Sequence, residues 1–506
     1  MPSLSPEQRR ALENVVLAEP VIARVAAAFA DAGHDLHLVG GPIRDALMGR
    51  GVHDLDFTTG ARPDEIERIL RTLTRATWDI GRDFGTIGAA FPGGGRTGPD
   101  AGIDEARQEG ASDRGDAVDG DVIVEVTTYR ADSYEPASRK PTVAFGDDLD
   151  GDLGRRDFTV NAMALSVVTG AFADPHGGLG DLAAGVLRTP STPEVSFSDD
   201  PLRMMRAARF VSQLGFEPAP DVVAAMSGMA ERIGIISAER VRDELTRLLL
   251  SPAPRPGLDL LVTTGLAALV IPEVAALERE VDEHNRHKDI YQHTLTVLEQ
   301  SIDLERARGH APDLIGRLAA LLHDIGKPAT KRFEGGGKVS FHHHDVVGAK
   351  LTKKRLTELR FSTEQVKAVA RLVELHLRFH GYADADWTDS AVRRYVRDAG
   401  DQLERLHILT RADCTTRNAR KANRLATAYE QLEFRIDELA AAEELDALRP
   451  DLDGTQIMAT LGIAPGPTVG RAYKFLLDQR LEHGPLGEDR DREALLGWWA
   501  DQQRPE

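Results

Sequence analysis

Residues 38–59 read LVGGPIRDALMGRGVHDLDFTT, and the architecture of the first third of the chain is built outward from them. Leu38 and Val39 close a short apolar run, which predicts a strand. Gly40-Gly41 comes next, and glycine permits the positive φ and close backbone approach of a tight turn onto a ligand. Pro42 suits the first turn of a helix through Ile43, Ala46, Leu47 and Met48, whose free N–H groups point back at the turn. With Arg44 beside them, those groups make an anion site able to take a triphosphate. Residues 49–51 reset the chain, and Asp54 and Asp56 then flank Leu55. Residues two apart in a strand share a face, so both carboxylates point into one space, where they can hold one or two Mg²⁺ ions.

The order strand, Gly-Gly, Arg-Asp, helix, Asp-x-Asp resembles the nucleotidyltransferase signature of the polymerase-β superfamily. More closely, it is similar to the class II tRNA nucleotidyltransferases (CCA-adding enzymes) and the bacterial poly(A) polymerases. The resemblance implies an α+β chain: a small mixed-sheet nucleotidyltransferase head, then an all-α neck, body and tail.

At roughly 150 residues per domain, 506 residues suggest about three domains. An apolar content of 42% suffices for ordinary globular cores. The chain lacks an apolar run of roughly 18 residues, and MPSLSPEQRRALENVV lacks the basic-then-apolar pattern of a signal peptide. Both point to a cytoplasmic protein without a membrane span. The single cysteine, Cys414, excludes an intrachain disulfide and a cysteine-based zinc site. A net charge of −19 means that any nucleic-acid contact must come from local basic patches and depend on salt.

Residues 6–33 read as one or two amphipathic helices ending at Gly33, Arg62-Pro63-Asp64 opens another, and residues 78–91 return to short strands. Residues 93–121 then carry eight acidic against three basic side chains and almost no large apolar one, the composition of a disordered insertion in a hairpin. At residues 122–126, VIVEV resumes a strand, with Val122, Val124 and Val126 on one face and Ile123, Glu125 and Thr127 on the other. A carboxylate inside an apolar strand is costly unless paired or metal-bound, which makes Glu125 the candidate third catalytic carboxylate. The alternative is an edge-strand side chain facing water.

Residues 152–162, DLGRRDFTVNA, resemble the family's DxxRRD…NA motif. The resemblance implies that Asp152 and Arg155 meet the ribose, while Arg156, Asp157 and Asn161 bind phosphate or brace the site. In DDPLRMMRAAR (residues 199–209), Pro201 at a helix start places Asp200 at the N-cap, close to Arg203. A carboxylate acceptor beside a guanidinium donor is complementary to the edges of cytosine (N4 amine, N3) and adenine (N6 amine, N1), but not to uracil or guanine. The family's EDxxR motif reads bases in this way, although here Asp199 replaces the Glu. Arg203, Arg206 and Arg209 recur every three residues and form either a basic stripe for phosphates or a solvated face. Glu239-Arg240 and Glu244 resemble the next motif, ERxxxE, implying a scaffold for the base-reading helix.

His293, His323-Asp324, His344, His376 and Asp413 form a second constellation. Imidazoles and carboxylates can hold a divalent metal that acidifies a bound water for attack on a phosphoester. The order resembles the HD metal-dependent phosphohydrolases. By that resemblance His293, His323, Asp324 and Asp413 are core ligands, and His344 and His376 the additional histidines of two-metal members. The metal's identity stays open. Two basic patches, Lys350, Lys353, Lys354 and Arg355, and Arg411, Arg417, Arg420, Lys421 and Arg424, are the expected tRNA contacts of the body. The turn at residues 461–470, LGIAPGPTVG, resembles the family's GxxPGPxxG turn.

The expected organisation is a head at 1–165, a base-recognising helical neck at 166–255, an HD-type all-α domain at 256–430 and a tRNA-contacting helical tail at 431–506. The expected function is template-independent addition of C, C and A to tRNA from CTP and ATP, with Mg²⁺ at Asp54, Asp56 and Glu125. Gly40, Gly41, Arg44, Asp152, Arg155, Arg156, Asp157, Asn161, Asp200, Arg203 and Arg206 are the expected nucleotide-binding residues. The alternatives are a poly(A) polymerase or A-adding enzyme, and an HD phosphohydrolase with a vestigial head. Deleting residues 95–119 is expected to leave melting temperature and activity nearly unchanged, because the segment has too little apolar surface to join a core. A fall in either would make the insertion structural.

Overall fold

The structure, a computed structural model, describes residues 4–52, 55–79, 82, 85–92, 121–133, 142–146, 148–279, 290–334, 339–381, 387–415, 419–443 and 449–503. Asp54 and all but the last residue of the acidic insertion therefore lie outside the described residues. Two compact units are present, one of residues 1–275 with 358–360, the other of residues 276–357 and 361–506.

In the first unit, β1 (His37–Val39), β2 (Leu55–Thr59), β3 (Thr77–Trp78), β4 (Thr86–Phe91) and β5 (Val122–Thr128) join two later strands. A separate hairpin, β6 (Arg130–Ser133) with β7 (Thr142–Phe145), precedes those strands, β8 (Ala164–Ser166) and β9 (Phe172–Ala173). The seven-stranded order is β3-β4-β5-β2-β1-β8-β9, and β2 with β5 is its parallel pair.

Strand alternation divides the sheet chemically. Leu55 and Phe57 of β2, Ile87, Ala89 and Phe91 of β4, and Val124 and Val126 of β5 enter one apolar core. Helices Pro6–Ala18, Pro20–Asp31, Gly41–Leu47 and Pro63–Leu70 cover that face with Leu12, Ile22, Phe29, Ile43, Ile66 and Ile69. The alternate residues, among them Asp56, Thr58, Gly88, Glu125 and Thr127, are left for the opposite face.

Beyond β9 the unit becomes helical. The helix Leu202–Leu214 buries residues all round, as a central core helix must. Helices Ala238–Leu249 and Pro254–Thr263 pack against it. A side chain at Gly257 would collide with the Ala208 carbonyl and the Ser212 hydroxyl, so glycine permits that close crossing. This packing carries the first unit to residue 275, about twenty residues past the expected neck boundary at 255.

The second unit places His293 in helix Ile290–Ala307 and His323 just after Leu314–Leu322. His344 opens His344–Glu358, while His376 and Asp413 cap Thr363–Leu375 and Leu403–Ala412. Glu305 and Arg317, both buried and 2.7 Å apart, tie the first two of these helices together. A small tail core forms around Leu452, Ile457, Ala472, Leu476 and Leu495. Among the described residues, no helix is long and apolar enough to cross a membrane.

Candidate active site

Register assembles the polar face of the sheet. Asp56 on β2 lies directly beside Glu125 on β5. Because β5 runs between β4 and β2, Glu125 sits on an interior strand, and the edge-strand alternative falls. Two residues further along the same face, Thr58 Oγ1 donates to Asp152 Oδ2 at 3.1 Å. Thr58 had no signal in the sequence beyond sharing the face of Asp56.

Asp152 is buried and accepts from Arg155 at 2.6 and 3.0 Å and from Arg156 at 3.4 Å. Burial alone would raise its pKa, but the guanidiniums of Arg156 and Arg155 and the bonds from Arg155 and Thr58 outweigh it, so the carboxyl is held below the usual range. Arg156 in turn lies against the Gly-Gly turn. Gly40 has φ +75°, and a Cβ there would stand 3.1 Å from Arg156 Nη1, so glycine admits both the backbone and the guanidinium.

Helix Gly41–Leu47 carries Arg44, which is buried, forks onto Asp45 at 2.8 and 2.9 Å and donates to Asn161 Oδ1 at 2.7 Å. Asn161 Nδ2 donates to Asp157 Oδ1 at 3.0 Å, and Arg206 holds Asp157 Oδ2 through Nε at 2.8 Å and Nη2 at 2.5 Å. Burial raises the Asp157 pKa, but the charge of Arg206 and the bonds from Asn161 and Arg206 overcome it, leaving the carboxyl well below its usual range. Glu244 continues the chain, 3.5 Å from Arg206 and 2.6 Å from the buried Arg209. Arg203, Arg206 and Arg209 thus form neither a basic stripe nor a solvated face. Distant acidic partners, Asp157 and Glu244, draw Arg206 and Arg209 inward, and Arg203 is buried against Ser196 and the Arg155 carbonyl.

Asp200 and Arg203 take separate partners. Asp200 ends helix Pro193–Asp199, and the next helix begins at Leu202, so the expected N-cap position passes to Pro201. The Asp200 carboxylate still accepts from Leu202 N at 3.1 Å, a cap-like bond from one residue further back, and from Arg240 at 2.7 Å. Arg203, buried, donates to Ser196 Oγ at 2.8 Å and to the Arg155 carbonyl. Ser196 was not legible in the sequence. Arg240 and Glu244 fall where the ERxxxE resemblance placed a scaffold. Arg411 of the second basic patch bonds Glu433 at 3.0 Å, an internal contact. Arg417 and the Lys421 side chain lie outside what is described.

In the second unit all six HD candidates converge. His293, His323 and Asp324 offer ligand atoms within 4.8 Å of one another, as do Asp324, His344 and His376. Asp413 Oδ1 is 3.0 Å from His293 Nε2 and 3.7 Å from His323 Nε2. The Nδ1 atoms of His323, His344 and His376 are each committed to the carbonyl three residues back, at 2.9, 2.8 and 2.6 Å. Their Nε2 atoms are buried without a well-formed hydrogen bond among the described residues. Ordered imidazoles with inward, unsatisfied Nε2 atoms around a carboxylate fit a divalent metal.

Burial, then the nearby His323, pushes the His376 pKa down to about 4, which keeps its ring neutral. Burial also acts to lower His323, but the Asp324 carboxylate dominates and raises it to about 8. Two residues escaped the sequence reading. Lys327 Nζ bonds Asp324 at 2.7 Å, an i,i+3 pairing visible in HDIGK, and Thr415 Oγ1 is 3.1 Å from His293 Nδ1.

Three family models match successive stretches of the chain. The family model for the poly A polymerase head domain matches residues 36–94 and 103–188. That for the probable RNA and SrmB-binding site of polymerase A matches residues 215–277, and an HD-domain model matches 290–418. The A-adding tRNA nucleotidyltransferase of Deinococcus radiodurans is 37% identical over 363 residues, 70% of this chain and 80% of that protein. The CC-adding tRNA nucleotidyltransferase of Thermus thermophilus is 35% identical over 475 residues, 92% of this chain and 94% of that one. The crystal structure of the Bacillus stearothermophilus CCA-adding enzyme in complex with CTP superposes with a TM-score of 0.64 at 22% identity, covering 99% of both chains.

Asp157→Asn should destabilise the first unit by up to about 3–5 kcal/mol, since it removes the nearer carboxylate partner of Arg206 and leaves Glu244 at 3.5 Å. The wild-type carboxylate has a depressed folded pKa. Its contribution is therefore fully present above its unfolded value of about 3.9 and lost as pH falls through the lower folded value. The difference in melting temperature between the two proteins is thus expected to be constant from pH 7 to 5 and to shrink below about pH 4. A difference independent of pH down to acid unfolding would refute the charge assignment.

Proposed function

Because the chain belongs to the tRNA nucleotidyltransferases, we propose that it adds C, C and A to the 3′ end of tRNA from CTP and ATP without a nucleic-acid template. The observation that carries this reading is the adjacency of Asp56 and Glu125 on the polar face, beside the Gly40 turn and the Arg156 guanidinium. The terminal hydroxyl oxygen forms a bond to the α-phosphorus as the bond to pyrophosphate breaks, and the hydroxyl proton leaves through the carboxylates to solvent. Asp54, Asp56 and Glu125 form an all-oxygen set suited to Mg²⁺, which when bound activates the hydroxyl and balances charge on the leaving pyrophosphate.

The chain's own groups orient the nucleotide. The N–H groups after Gly40, with Arg44 and Arg156, receive the phosphates. Asp152 and Arg155 take the ribose, and Asp157, Asn161 and Arg206 hold Arg44 in place from behind. Asp200 and Arg203 read the base. A carboxylate has about four acceptor sites, and Leu202 and Arg240 occupy two at Asp200, so a base amine can still be accepted.

A second reading, partial addition, is favoured by the A-adding and CC-adding names of the Deinococcus and Thermus relatives. The poly(A) polymerase reading shares the same head. The test offers each labelled NTP to tRNAs ending before CCA, after C and after CC. Full addition requires CTP on the first two and ATP on the third, with UTP and GTP at background. Asp54→Ala and Asp56→Ala are each expected to cut addition more than about a hundredfold while tRNA binding survives. A loss of less than about tenfold, or 1.4 kcal/mol, would remove the residue from the metal set.

For the second unit we propose a divalent transition metal at His293, His323, Asp324, His344, His376 and Asp413, acting on phosphoesters. When bound, the metal supplies an acidified water as nucleophile. Lys327 neutralises part of the Asp324 charge, and the three Nδ1 bonds fix the inward tautomer. After reconstitution with Ni²⁺, Co²⁺ or Mn²⁺, His323→Ala and Asp324→Asn should lose bound metal by elemental analysis and lose bis(p-nitrophenyl) phosphate hydrolysis, yet retain nucleotide addition. A wild-type protein that binds none of these metals would overturn the proposal.

A further inference from the structure

We propose that Trp78 is the platform on which the 3′-terminal base of the acceptor RNA stacks before its hydroxyl attacks, a role that rests on the nucleotide-addition reading above. Four residues stand in one row across the sheet. Trp78 pairs with Gly88, Gly88 with Glu125, and Glu125 with Asp56. Directly paired residues project from the same face. The neighbour of Trp78, Thr77, pairs with Ala89, which lies in the apolar core. Trp78 therefore faces away from that core, toward the carboxylates.

Glycine at position 88 makes this possible. A Cβ there would collide with Cε2, Nε1 and Cζ2 of the indole, so the ring lies across the space a side chain on β4 would fill. The indole is only partly buried, so part of its surface remains open to a ligand. With strands about 4.8 Å apart, the ring over β4 stands one strand from Glu125 and two from Asp56.

The direction of the reaction selects the occupant. The groups assigned to the triphosphate, Gly40, Gly41, Arg44 and Arg156, lie on the β1 side of Asp56. Phosphoryl-type transfer places the attacking and leaving oxygens roughly in line. The acceptor hydroxyl must then arrive from the β5–β4 side, where Trp78 stands. Stacking also suits the chemistry of successive addition. The terminal base of the acceptor is the one preceding CCA at the first step and C at the next two, and an aromatic face tolerates any base, whereas a hydrogen-bonding pair would select one.

The experiment uses the full chain, CTP and a minihelix RNA ending in the nucleotide that precedes CCA, with its terminal base present or removed and its hydroxyl kept. Trp78→Ala should raise the KM for RNA about tenfold or more and leave the KM for CTP unchanged. Trp78→Phe should recover most of the loss, whereas Trp78→Leu, which fills space without a π face, should not. Wild type should lose about tenfold in kcat/KM on the abasic RNA, and Trp78→Ala should lose little further. Equal losses by both proteins, or a parallel rise in both KM values, would overturn the platform. Should the Ala and Leu variants fail to fold, wild type alone decides, because equal use of the two RNAs contradicts stacking. A wild-type protein inactive on the intact RNA would overturn the addition reading and this role with it, an outcome distinct from active wild type with flat Trp78 arms.

Discussion

The Arg206 guanidinium against the Asp157 carboxylate is the contact through which the segments around the Gly40 turn and the Leu202–Leu214 helix are held in one arrangement. On one side Asp157 reaches Asn161 and then Arg44, in the helix that follows the Gly-Gly turn. On the other, Arg206 approaches Glu244, which holds Arg209. Charges alternate along this chain, and most of its members are buried. Taking such groups out of water is expensive, so each depends on its neighbours and removing one leaves the next uncompensated. The segments joined are local in structure but distant in sequence: residues 44, 157–161, 206–209 and 244. A shift in the Leu202–Leu214 helix is thereby felt at the Gly40 turn through bonds of defined geometry. Apolar packing of equal area would permit sliding.

The sheet solves a different problem with register. A strand period of two sends Leu55, Phe57, Val124 and Val126 into the core and leaves Asp56 and Glu125 on the other face. Carboxylates there keep access to water and to a metal while the core stays apolar, which avoids burying like charges. The parallel pairing of β2 with β5 brings Asp56 and Glu125 side by side. A one-residue slip would send the Glu125 carboxylate into the core, so the apolar alternation of VIVEV enforces the pairing of Asp56 with Glu125 as well as the packing.

Much of this was legible in the sequence, and the boundary of what was legible has a physical cause. The turn at Gly40, the helix behind it and the alternation around Glu125 are consequences of local backbone chemistry, so a single stretch reveals them. The HD histidines were legible from their order and from their places in or beside helices. Long-range pairing was not. Arg206 and Arg209 recur at a spacing that suits a solvated stripe as well as a buried one, and only Glu244, 35 residues on, turns Arg209 inward. Likewise Asp200 sits where a helix cap was expected, but its partner Arg240 lies 40 residues away. The Trp78–Gly88 juxtaposition depends on strand register, which alternation alone does not fix.

The two centres also differ in donor chemistry, and that difference lets one chain keep them apart. Asp56 and Glu125 offer only hard oxygen, the preference of Mg²⁺, which dehydrates reluctantly and leaves room for phosphate oxygens. The second unit presents His293, His323, His344 and His376 around Asp324 and Asp413, a set suited to Zn, Cu, Fe or Ni. Three of those imidazoles are fixed by the same i−3 carbonyl bond at Nδ1, so the inward Nε2 atoms are organised before any ion arrives. The separation of the two chemistries follows from the ligand atoms themselves.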